Sequence, residues 1–278
     1  MSRFPAAAVE FLRCPHCHAS LTHHQSGLAC PLRHRFDFAK QGYAPLLTGK
    51  ENLTTGDNAD QVAARETFLG AGFYAPLQAA VAQAARTNAP GCLVEPGCGT
   101  GYYLAAALDA QPERVGIGVD TSKYALRRAA RSHPQSAAIL ADAWGQLPMP
   151  DHSAATVLNV FAPRNGADLA RVLHPEGHLV VITPEPHHLG ELVEPLGLLT
   201  VDPTKSQRLG RTLGDWFQLA DTKLIEYRID LPTEYIEALA LMGPSARHLD
   251  KDHLRLTLSE QGLVQTVTVA VTATTWKS

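Results

Sequence analysis

The sequence predicts an α/β fold, with a doubly wound parallel sheet that follows a small metal-binding module at the N-terminus. Three observations predict it. Short apolar runs alternate with helical stretches after Pro90, a glycine-rich turn follows the first of those runs, and three of the five cysteines lie within the first thirty residues. A chain of 278 residues is long enough for one such domain and a small appendage.

Composition and charge narrow the class of protein. A hydrophobic fraction of 45% and a charged fraction of 18% are ordinary for a folded globular protein. No run approaches the roughly 18 apolar residues of a membrane span, and the first residues lack the apolar core of a secretory signal. We therefore expect a cytoplasmic protein with no membrane partner. The net charge of −3 divides into +4 over residues 1–50 and −7 over the rest. If RNA is the partner, we therefore expect its phosphates to contact the N-terminal segment.

Three segments are predicted in chain order. Residues 1–48 form the metal-binding module, residues 49–89 a helical linker and residues 90–278 the α/β domain. The linker is predicted to be helical over 54–86, with one break at 70–72. The clustering of cysteines in the first segment suits metal binding in a reducing compartment better than a disulfide framework.

Within the α/β domain the predicted strands and helices alternate. The strands are expected at 92–95, 115–119, 137–140, 155–160 and 178–183, and the helices between them at 102–108, 122–133 and 167–173. The tail adds a segment at 223–231 and a helix at 234–242. Alternating Val and Thr at 264–274 are expected to close the edge of the sheet as an antiparallel strand.

The module carries four residues with the spacing of a zinc site. Cys14 and Cys17 form a C-x2-C pair, and Cys30 and His34 form a C-x3-H pair twelve residues later. Two such pairs can surround Zn²⁺ tetrahedrally and leave no open position, so we predict a structural zinc ion. Free surface cysteines are the alternative, and a neighbouring histidine could replace His34. So small a module has little core, so metal binding should supply its folding energy.

The turn after the first strand predicts a ligand of the nucleoside type. Glu95 ends the strand, and Gly97, Gly99 and Gly101 allow a tight turn with close approach of a ligand to the backbone. Tyr102 stands where the dinucleotide pattern G-x-G-x-x-G has its third glycine, which disfavours a pyrophosphate. An acidic, glycine-rich loop suits a cationic amino-acid ligand instead. We expect Glu95 to act, directly or through water, on the methionine ammonium of S-adenosylmethionine.

Acidic residues at the ends of the next two strands extend this cofactor site. Asp120, followed by Thr121, ends the second strand, where a carboxylate can accept both ribose hydroxyls. Asp142 and Ala143 follow the third strand and are placed to reach adenine, with Asp142 accepting from its amine; an ordinary helix cap by Asp142 is the alternative. Together these features predict a Rossmann-like class I S-adenosylmethionine-dependent methyltransferase with an N-terminal zinc-ribbon-like module.

The chain resembles the bacterial 23S ribosomal RNA guanine-N1-methyltransferases, including the subgroup that gives resistance to macrolides such as tylosin. The likeness covers nearly the whole chain. Besides the four predicted zinc ligands it includes residues 36–43 (FDFAKQGY), 72–77 (GFYAPL), 159–165 (NVFAPRN), 183–184 with 188–189 (TP and HL) and 242–245 (MGPS). The segments 159–165 and 242–245 look more like the macrolide-resistance subgroup than the other branch.

This resemblance implies S-adenosylmethionine as the cofactor and 23S rRNA as the partner, with the zinc module helping to recognise the RNA. It also implies that Tyr74, Gly99, Thr100 and His188 line the cofactor site. Without it, Tyr74 and His188 would be interpreted as a packed aromatic residue and a surface histidine. The family usually has Asp and Ile at positions 95 and 96, where this chain has Glu and Pro, so the contact made by the longer carboxylate is left open.

The reaction that the resemblance implies needs little covalent chemistry from the protein. Guanine N1 carries a proton at neutral pH, so the transfer requires loss of that proton and in-line attack on a sulfonium methyl group, and positioning supplies most of the catalysis. Asn159, at the end of the fourth strand, is our candidate for orienting the guanine edge, with a structural cap of the next loop as an equal alternative. Asp142, His188 and Glu185 are left open as the base.

Splayed RNA bases stack on aromatic or guanidinium planes, so Phe161, Arg164, Tyr43 and Arg35 are candidate RNA contacts. Two other functions compete with RNA methylation. One is a small-molecule methyltransferase, which the acidic main domain mildly supports. The other is a non-catalytic zinc-dependent RNA-binding protein, which the complete set of acidic and glycine residues argues against. The modified guanine, any antibiotic affected and the existence of a homodimer are left open.

Overall fold

The computed structural model describes residues 4–49, 53, 56–202, 210, 212–260 and 264–278. Its strands are β1 (Thr22–His24), β2 (Gly27–Ala29), β3 (Arg35–Asp37), β4 (Ala44–Pro45), β5 (Cys92–Pro96), β6 (Gly116–Asp120), β7 (Ser136–Leu140), β8 (Ala154–Val160), β9 (Leu173–Pro184), β10 (Gln218–Pro232) and β11 (Val264–Lys277). Its α-helices are α1 (Ala59–Gly70), α2 (Ala75–Ala84), α3 (Tyr102–Asp109), α4 (Lys123–Ser132), α5 (Gly166–Val172), α6 (Gly190–Leu196), α7 (Thr233–Met242) and α8 (Lys251–Glu260). The tail segments predicted at 223–231, 234–242 and 264–274 correspond to β10, α7 and β11, whereas α6 and α8 were not predicted.

A small antiparallel sheet of β1, β2 and β3 forms the N-terminal module, next to a 3-10 helix at Ala6–Phe11. Gly27 lies where β2 meets β3. A Cβ added there would be 2.3 Å from the carbonyl oxygen of Phe36, so this strand pairing requires glycine. The pairing sets the turn between β2 and β3, which carries the second pair of predicted metal ligands.

The main sheet has eight strands in the order β10-β11-β9-β8-β5-β6-β7-β4. The five predicted strands of the α/β domain, β5 to β9, form its centre and run parallel. Every residue of β5, β7 and β8 is buried, as expected for parallel strands covered by helices on both faces. The predicted doubly wound α/β fold is confirmed, and the strand order reverses beside β5, where such sheets bind their ligands.

The C-terminal edge of the sheet differs in one respect from the prediction. The antiparallel strand β11 does pair with β9, but it is not the edge, because β10 pairs with it along the other side. β10 is mostly exposed and carries Lys223, Glu226, Arg228 and Asp230, charges that protect an edge strand from pairing with another chain. The expectation that residues 264–274 close the edge is therefore corrected.

The N-terminal module is joined to the α/β domain through backbone and core. β4 pairs in parallel with β7, and the Leu46 N–H donates to the Leu140 carbonyl at 3.0 Å. One buried cluster contains Leu12 and Leu28 from the module together with Ile139 from the domain. The module thus has a fixed position relative to the main sheet.

The segment between the module and β5 folds as the helices α1 and α2. Thr54, where the predicted helical stretch begins, lies outside the described residues. Asn58 caps α1 in a reciprocal capping box: its side chain accepts from the Gln61 N–H at 3.0 Å, and the Gln61 side chain accepts from the Asn58 N–H at 3.1 Å. The predicted break at 70–72 separates the two helices. Within the described part of the chain, no helix has the length and apolar character needed to cross a bilayer.

Candidate functional site

Two tight turns carry the predicted metal ligands. In the first, the His18 N–H donates to the Cys14 carbonyl at 2.8 Å, and in the second the Arg33 N–H donates to the Cys30 carbonyl at 2.9 Å. His18 and Arg33 have φ angles of 58° and 65°, in the left-handed region that lets a chain reverse sharply. Each turn therefore directs its two ligand side chains toward the same point.

The four predicted ligands converge there. The ligand atoms of Cys14, Cys17, Cys30 and His34 all lie within 4.8 Å of one another. The His34 Nδ1 is 3.4 Å from the Cys14 Sγ and 3.3 Å from the Cys30 Sγ, and the Sγ atoms of Cys17 and Cys30 are 3.7 Å apart. A zinc tetrahedron with bonds of about 2.3 Å to sulfur and about 2.1 Å to nitrogen has edges of about 3.6–3.8 Å. The cluster fits Zn²⁺ in size and in ligand chemistry.

His34 is the histidine that joins the three thiols. His16 does not join this cluster but stacks beside it, with its ring centroid 4.9 Å from that of His34 and 5.9 Å from that of Phe36. The His16 ring thus packs between the rings of His34 and Phe36 without supplying a ligand. Replacement of His34 by a neighbouring histidine, which the sequence left open, is not the arrangement found.

The second site is a cavity of about 250 Å³ at the carboxyl ends of β5, β6, β7 and β8. Nine of the eleven predicted cofactor residues line it: Tyr74, Glu95, Gly97, Gly99, Thr100, Asp120, Thr121, Asp142 and Ala143. Gly101 and His188 do not line it, and both lie directly behind residues that do. Most of the residues predicted from the sequence to bind the cofactor therefore lie on the wall of one cavity.

The glycine loop explains why Gly101 is set back. A Cβ at Gly101 would lie 2.6 Å from the Ser132 Oγ, so this glycine permits close packing of the loop against α4. At Gly99, by contrast, the nearest atom to an added Cβ is the Arg65 Cδ at 3.6 Å. The absence of a side chain at Gly99 therefore leaves space in the cavity, whereas its absence at Gly101 allows the loop to pack closely against α4.

Glu95 is almost fully buried, with 1% of its surface exposed. Its Oε2 accepts from the Leu104 N–H in the first turn of α3 at 3.0 Å. Burial, together with the nearby Asp120 carboxylate, raises the pKa of Glu95 to about 8, although the bond from Leu104 opposes this. The carboxyl group is thus anchored to the helix, and an incoming cation would favour its ionised form.

Asp120 connects two loops at the floor of the cavity. One oxygen accepts from the Gly99 N–H at 2.8 Å and the other from the Ser122 N–H at 2.7 Å. Burial raises its pKa, and these two bonds counteract that rise. Each carboxylate oxygen can accept a further bond, which fits the expected contact with ribose hydroxyls.

Asp142 lies in a turn and not at the start of a helix. Its Oδ1 accepts from the Trp144 N–H at 2.9 Å, so it holds a local turn after β7. Trp144, 61% exposed, lines the mouth of the cavity. The helix-cap alternative for Asp142 is therefore wrong, and its position beside the cavity is compatible with a contact to adenine.

The buried side chain of Tyr74 contacts the partly buried side chain of His188. The His188 Nδ1 accepts from the Ala270 N–H at 3.2 Å, so a neutral ring carries its proton on Nε2, which is 3.3 Å from the Tyr74 hydroxyl oxygen. Burial raises the pKa of Tyr74. His188 thus positions Tyr74 from behind, and both of its ring nitrogens are already engaged.

The residues proposed to orient the guanine or to accept its proton differ in whether they line the cavity. Asn159 is fully buried, and its Nδ2 donates to the Pro163 carbonyl at 2.9 Å, which favours the alternative of a structural cap for that loop. Of the three candidate bases, Asp142 lines the cavity. Glu185 instead accepts from the Thr272 hydroxyl, outside the cavity lining.

The loop that Asn159 supports presents Phe161 at the cavity mouth. Phe161 is 41% exposed and has a φ of 52°, a conformation that is rare for a bulky residue. Arg35 is also exposed, on β3, as an RNA contact would require. Tyr43, by contrast, is buried in a cluster with Leu126, so the expectation that it contacts RNA is corrected.

The sequence missed one side of the cavity. Asp57, Arg65 and Met242 line it, and they come from the segment before α1, from α1 itself and from the end of α7. Among the described lining residues, Arg65 is the one cation. No spacing rule marks a single arginine in a helix as a ligand contact, and residues 242–245 were noted only as part of the family resemblance.

Comparisons with known proteins agree with both sites. Residues 12–51 match the zinc-ribbon family described as "RlmA, N-terminal", and residues 94–181 match a methyltransferase domain family. The chain is 42% identical to the 23S rRNA (guanine(748)-N(1))-methyltransferase of Streptomyces fradiae, over 96% of each chain. It is 45% identical to a protein of Micromonospora griseorubida that is provisionally named a 23S rRNA (guanine-N1)-methyltransferase, over 94% of this chain and 95% of that one.

A comparison of structures supports the fold alone. The crystal structure of the MccD protein superimposes with a TM-score of 0.50 at 14% identity, covering 76% of this chain and 98% of that chain. Similarity at that level of identity indicates a shared architecture and does not carry an activity.

Proposed function

Because the chain belongs to the 23S rRNA (guanine-N1)-methyltransferase family, we propose that it transfers a methyl group from S-adenosylmethionine to N1 of a guanine in 23S rRNA, in the cytoplasm. The observation that carries this proposal is the identity of 42% to the Streptomyces fradiae enzyme over nearly the full length of both chains. That relative is named for guanine 748, so the corresponding guanine is the first candidate for the target here.

The two cofactors that accompany this assignment are S-adenosylmethionine and a structural zinc ion. The zinc fits the Cys3His cluster in distance and in donor type. The adenosyl compound fits a cavity with the acidic, glycine-rich floor that the methyltransferase pattern predicts. When bound, S-adenosylmethionine supplies an electrophilic methyl group on a sulfonium.

The chain's own residues bind and orient the reactants. We assign Asp120 to the ribose hydroxyls, Asp142 to the adenine amine and Glu95 to the methionine ammonium, and Tyr74, held by His188, to the wall of the cavity. Phe161, exposed at its mouth, is assigned to stacking on the target base. Most of the rate enhancement would come from this positioning, because no covalent protein intermediate is required.

The division of the chain into an RNA-recognition module (1–48), a helical linker (49–89) and a methyltransferase domain (90–278) is part of the proposal. The second zinc turn exposes Leu32 and Arg33, and Arg35 follows on β3. Since β4 anchors the module to β7, RNA bound by these residues would be held in a fixed direction from the cavity. The resemblance further suggests macrolide resistance, which a drug-susceptibility measurement in cells with and without the gene would test.

The proposal is tested by primer extension on 23S rRNA that has been incubated with the purified protein and S-adenosylmethionine. An N1 methyl group blocks Watson–Crick pairing, so reverse transcriptase should stop at a single guanine. The Asp120→Ala variant should give no stop, because it lacks the proposed ribose acceptor. Lys223→Gln, on the exposed edge strand β10, is the matched control and should behave as wild type.

Two outcomes would contradict the proposal. Methyl label that enters a small-molecule extract and leaves 23S rRNA unlabelled would favour a small-molecule methyltransferase. A protein that binds 23S rRNA but no S-adenosylmethionine in calorimetry would favour a non-catalytic RNA-binding role.

A further inference from the structure

The charges that line the cavity leave one part of the cofactor without a partner. Four carboxylates belong to the lining: Asp57, Glu95, Asp120 and Asp142. They suit the ammonium, the ribose hydroxyls and the adenine amine. S-adenosylmethionine also has a carboxylate, and a carboxylate placed among acidic groups needs a cation or several N–H donors. Arg65 is the one cation among the described residues of the lining.

Arg65 is held in position from two sides. Its Nη2 donates to the Asp57 Oδ2 at 2.7 Å and to the Met242 carbonyl at 2.9 Å. The side chains of Arg65 and Asp57 are 29% and 28% exposed, so the ion pair is partly withdrawn from water. An arginine fixed in this way has already lost much of its rotamer freedom, which lowers the entropic penalty of binding a ligand.

One buried donor of the same guanidinium has no partner. The Arg65 Nε is buried and has no hydrogen-bond partner. A buried N–H without a partner is unfavourable, and in a native site it points to a group that is bound there. A Cβ added at Gly99 would lie 3.9 Å from this Nε, so the unpartnered donor lies beside the glycine loop. The loop also lies next to Glu95, the residue assigned to the methionine ammonium.

We infer that Arg65 binds the carboxylate of the methionine moiety of S-adenosylmethionine, with Asp57 and the Met242 carbonyl as the groups that orient its guanidinium. This inference rests on the proposed function and adds to it the recognition of the amino-acid end of the cofactor. It also gives a role to the junction between α1 and the end of α7, since the Met242 carbonyl at that junction helps to hold the arginine at the cavity.

The inference is tested by calorimetry with two ligands that differ in one group. S-adenosylhomocysteine has the carboxylate, and its decarboxylated analogue keeps the ammonium, the ribose and the adenine. Arg65→Gln should raise the Kd of S-adenosylhomocysteine by about 10- to 100-fold, the effect of one charged hydrogen-bonded pair, and should leave the Kd of the analogue within about twofold. Wild type should bind the analogue about 10- to 100-fold more weakly than S-adenosylhomocysteine.

The matched control is Arg128→Gln. Arg128 lies on α4, outside the cavity, and pairs with Glu66 of α1 at 3.1 Å. Its replacement removes a charged contact of α1, the helix that carries Arg65, and should leave both Kd values unchanged. If Arg65→Gln does not fold, Arg65→Lys provides the test. Lysine keeps the charge but not the planar fork, so this variant should lose part of the affinity for S-adenosylhomocysteine and none for the analogue.

Three results would overturn the inference. Equal weakening of both ligands by the Arg65 variants would show that the arginine acts through structure alone. Unchanged binding of S-adenosylhomocysteine, or a wild type that binds both ligands equally, would show that the carboxylate is not recognised there. Wild-type protein that binds neither ligand would instead refute the proposed function, and the inference with it.

Discussion

Replacement of Glu95 by Gln should make the protein more stable, and more so as the pH rises. The carboxyl group is 1% exposed and its pKa is raised, first by burial, from an ordinary value of 4.5 to about 8. Between these two values the folded chain keeps a proton that the unfolded chain has lost. Wild-type stability must therefore fall as the pH increases through that window.

The size of the effect follows from the width of the window. The slope approaches about 1.4 kcal/mol per pH unit where one proton separates the two states. With the curvature near each pKa included, wild type should lose about 3 kcal/mol between about pH 5.5 and about pH 8.5 relative to Glu95→Gln. The glutamine keeps an oxygen that can accept from the Leu104 N–H, so the helix remains capped.

Urea unfolding of wild type and variant at those two pH values measures the difference, and other titrating groups cancel because both proteins share them. If the stability gap between the two proteins stays constant within about 1 kcal/mol over that range, Glu95 is already ionised near neutral pH, and the reasoning from burial is refuted. A companion measurement is the proton balance on binding S-adenosylhomocysteine at neutral pH. Wild type should release a proton as the ligand ammonium ionises Glu95, and Glu95→Gln should not.

Further predictions concern the other parts of the molecule. Phe161→Ala should lower kcat/KM for 23S rRNA by about 5- to 100-fold, the effect of one lost stacking contact, with the Kd of S-adenosylhomocysteine unchanged. Cys17→Ser, or chelation of zinc in wild type, should lower the Tm and abolish RNA methylation; an unchanged Tm would contradict a structural metal. Gly101→Ala should destabilise the fold by about 1–3 kcal/mol through its φ of 80° and its contact with α4, whereas Gly190→Ala, with open space around it, should be neutral in urea unfolding. Arg35→Glu should weaken RNA binding about 3- to 10-fold in a filter-binding assay and leave cofactor affinity intact, and equal methylation by this variant would remove β3 from substrate recognition.

Features that depend on residues close together in the chain could be predicted from the sequence. The strands β5 to β9 are mostly buried and mostly apolar, and short apolar runs bounded by turn residues are typical of the buried strands of a parallel sheet. The two zinc turns were predictable because Cys pairs at close spacing have a narrow range of functions. The floor of the cavity was predictable because topology alone places the ends of adjacent parallel strands side by side.

Contacts between distant segments could not be predicted in the same way. β4 is two residues long and has no periodicity, so only the tertiary structure shows that it extends the sheet from the N-terminal module. Tyr43 resembled an exposed stacking residue because aromatic residues near basic ones suit RNA, yet it fills the space beside α4. For such residues, burial is decided by a packing partner that lies far away in sequence.

Arg65 shows the limit most clearly, because its significance depends on three segments at once. Asp57 and Met242 are 8 and 177 positions away from it, and they hold the guanidinium whose unpartnered Nε lies beside Gly99. Glycine loops recur among nucleotide-binding folds because the backbone itself makes the contact. A carboxylate anchor needs one side chain at one place, which any nearby helix can supply, so it can only be found once the cavity has been built. The contacts assigned to the ribose and to the methionine ammonium are therefore predictable from short motifs, whereas the contact assigned to the methionine carboxylate can be found only in the tertiary structure.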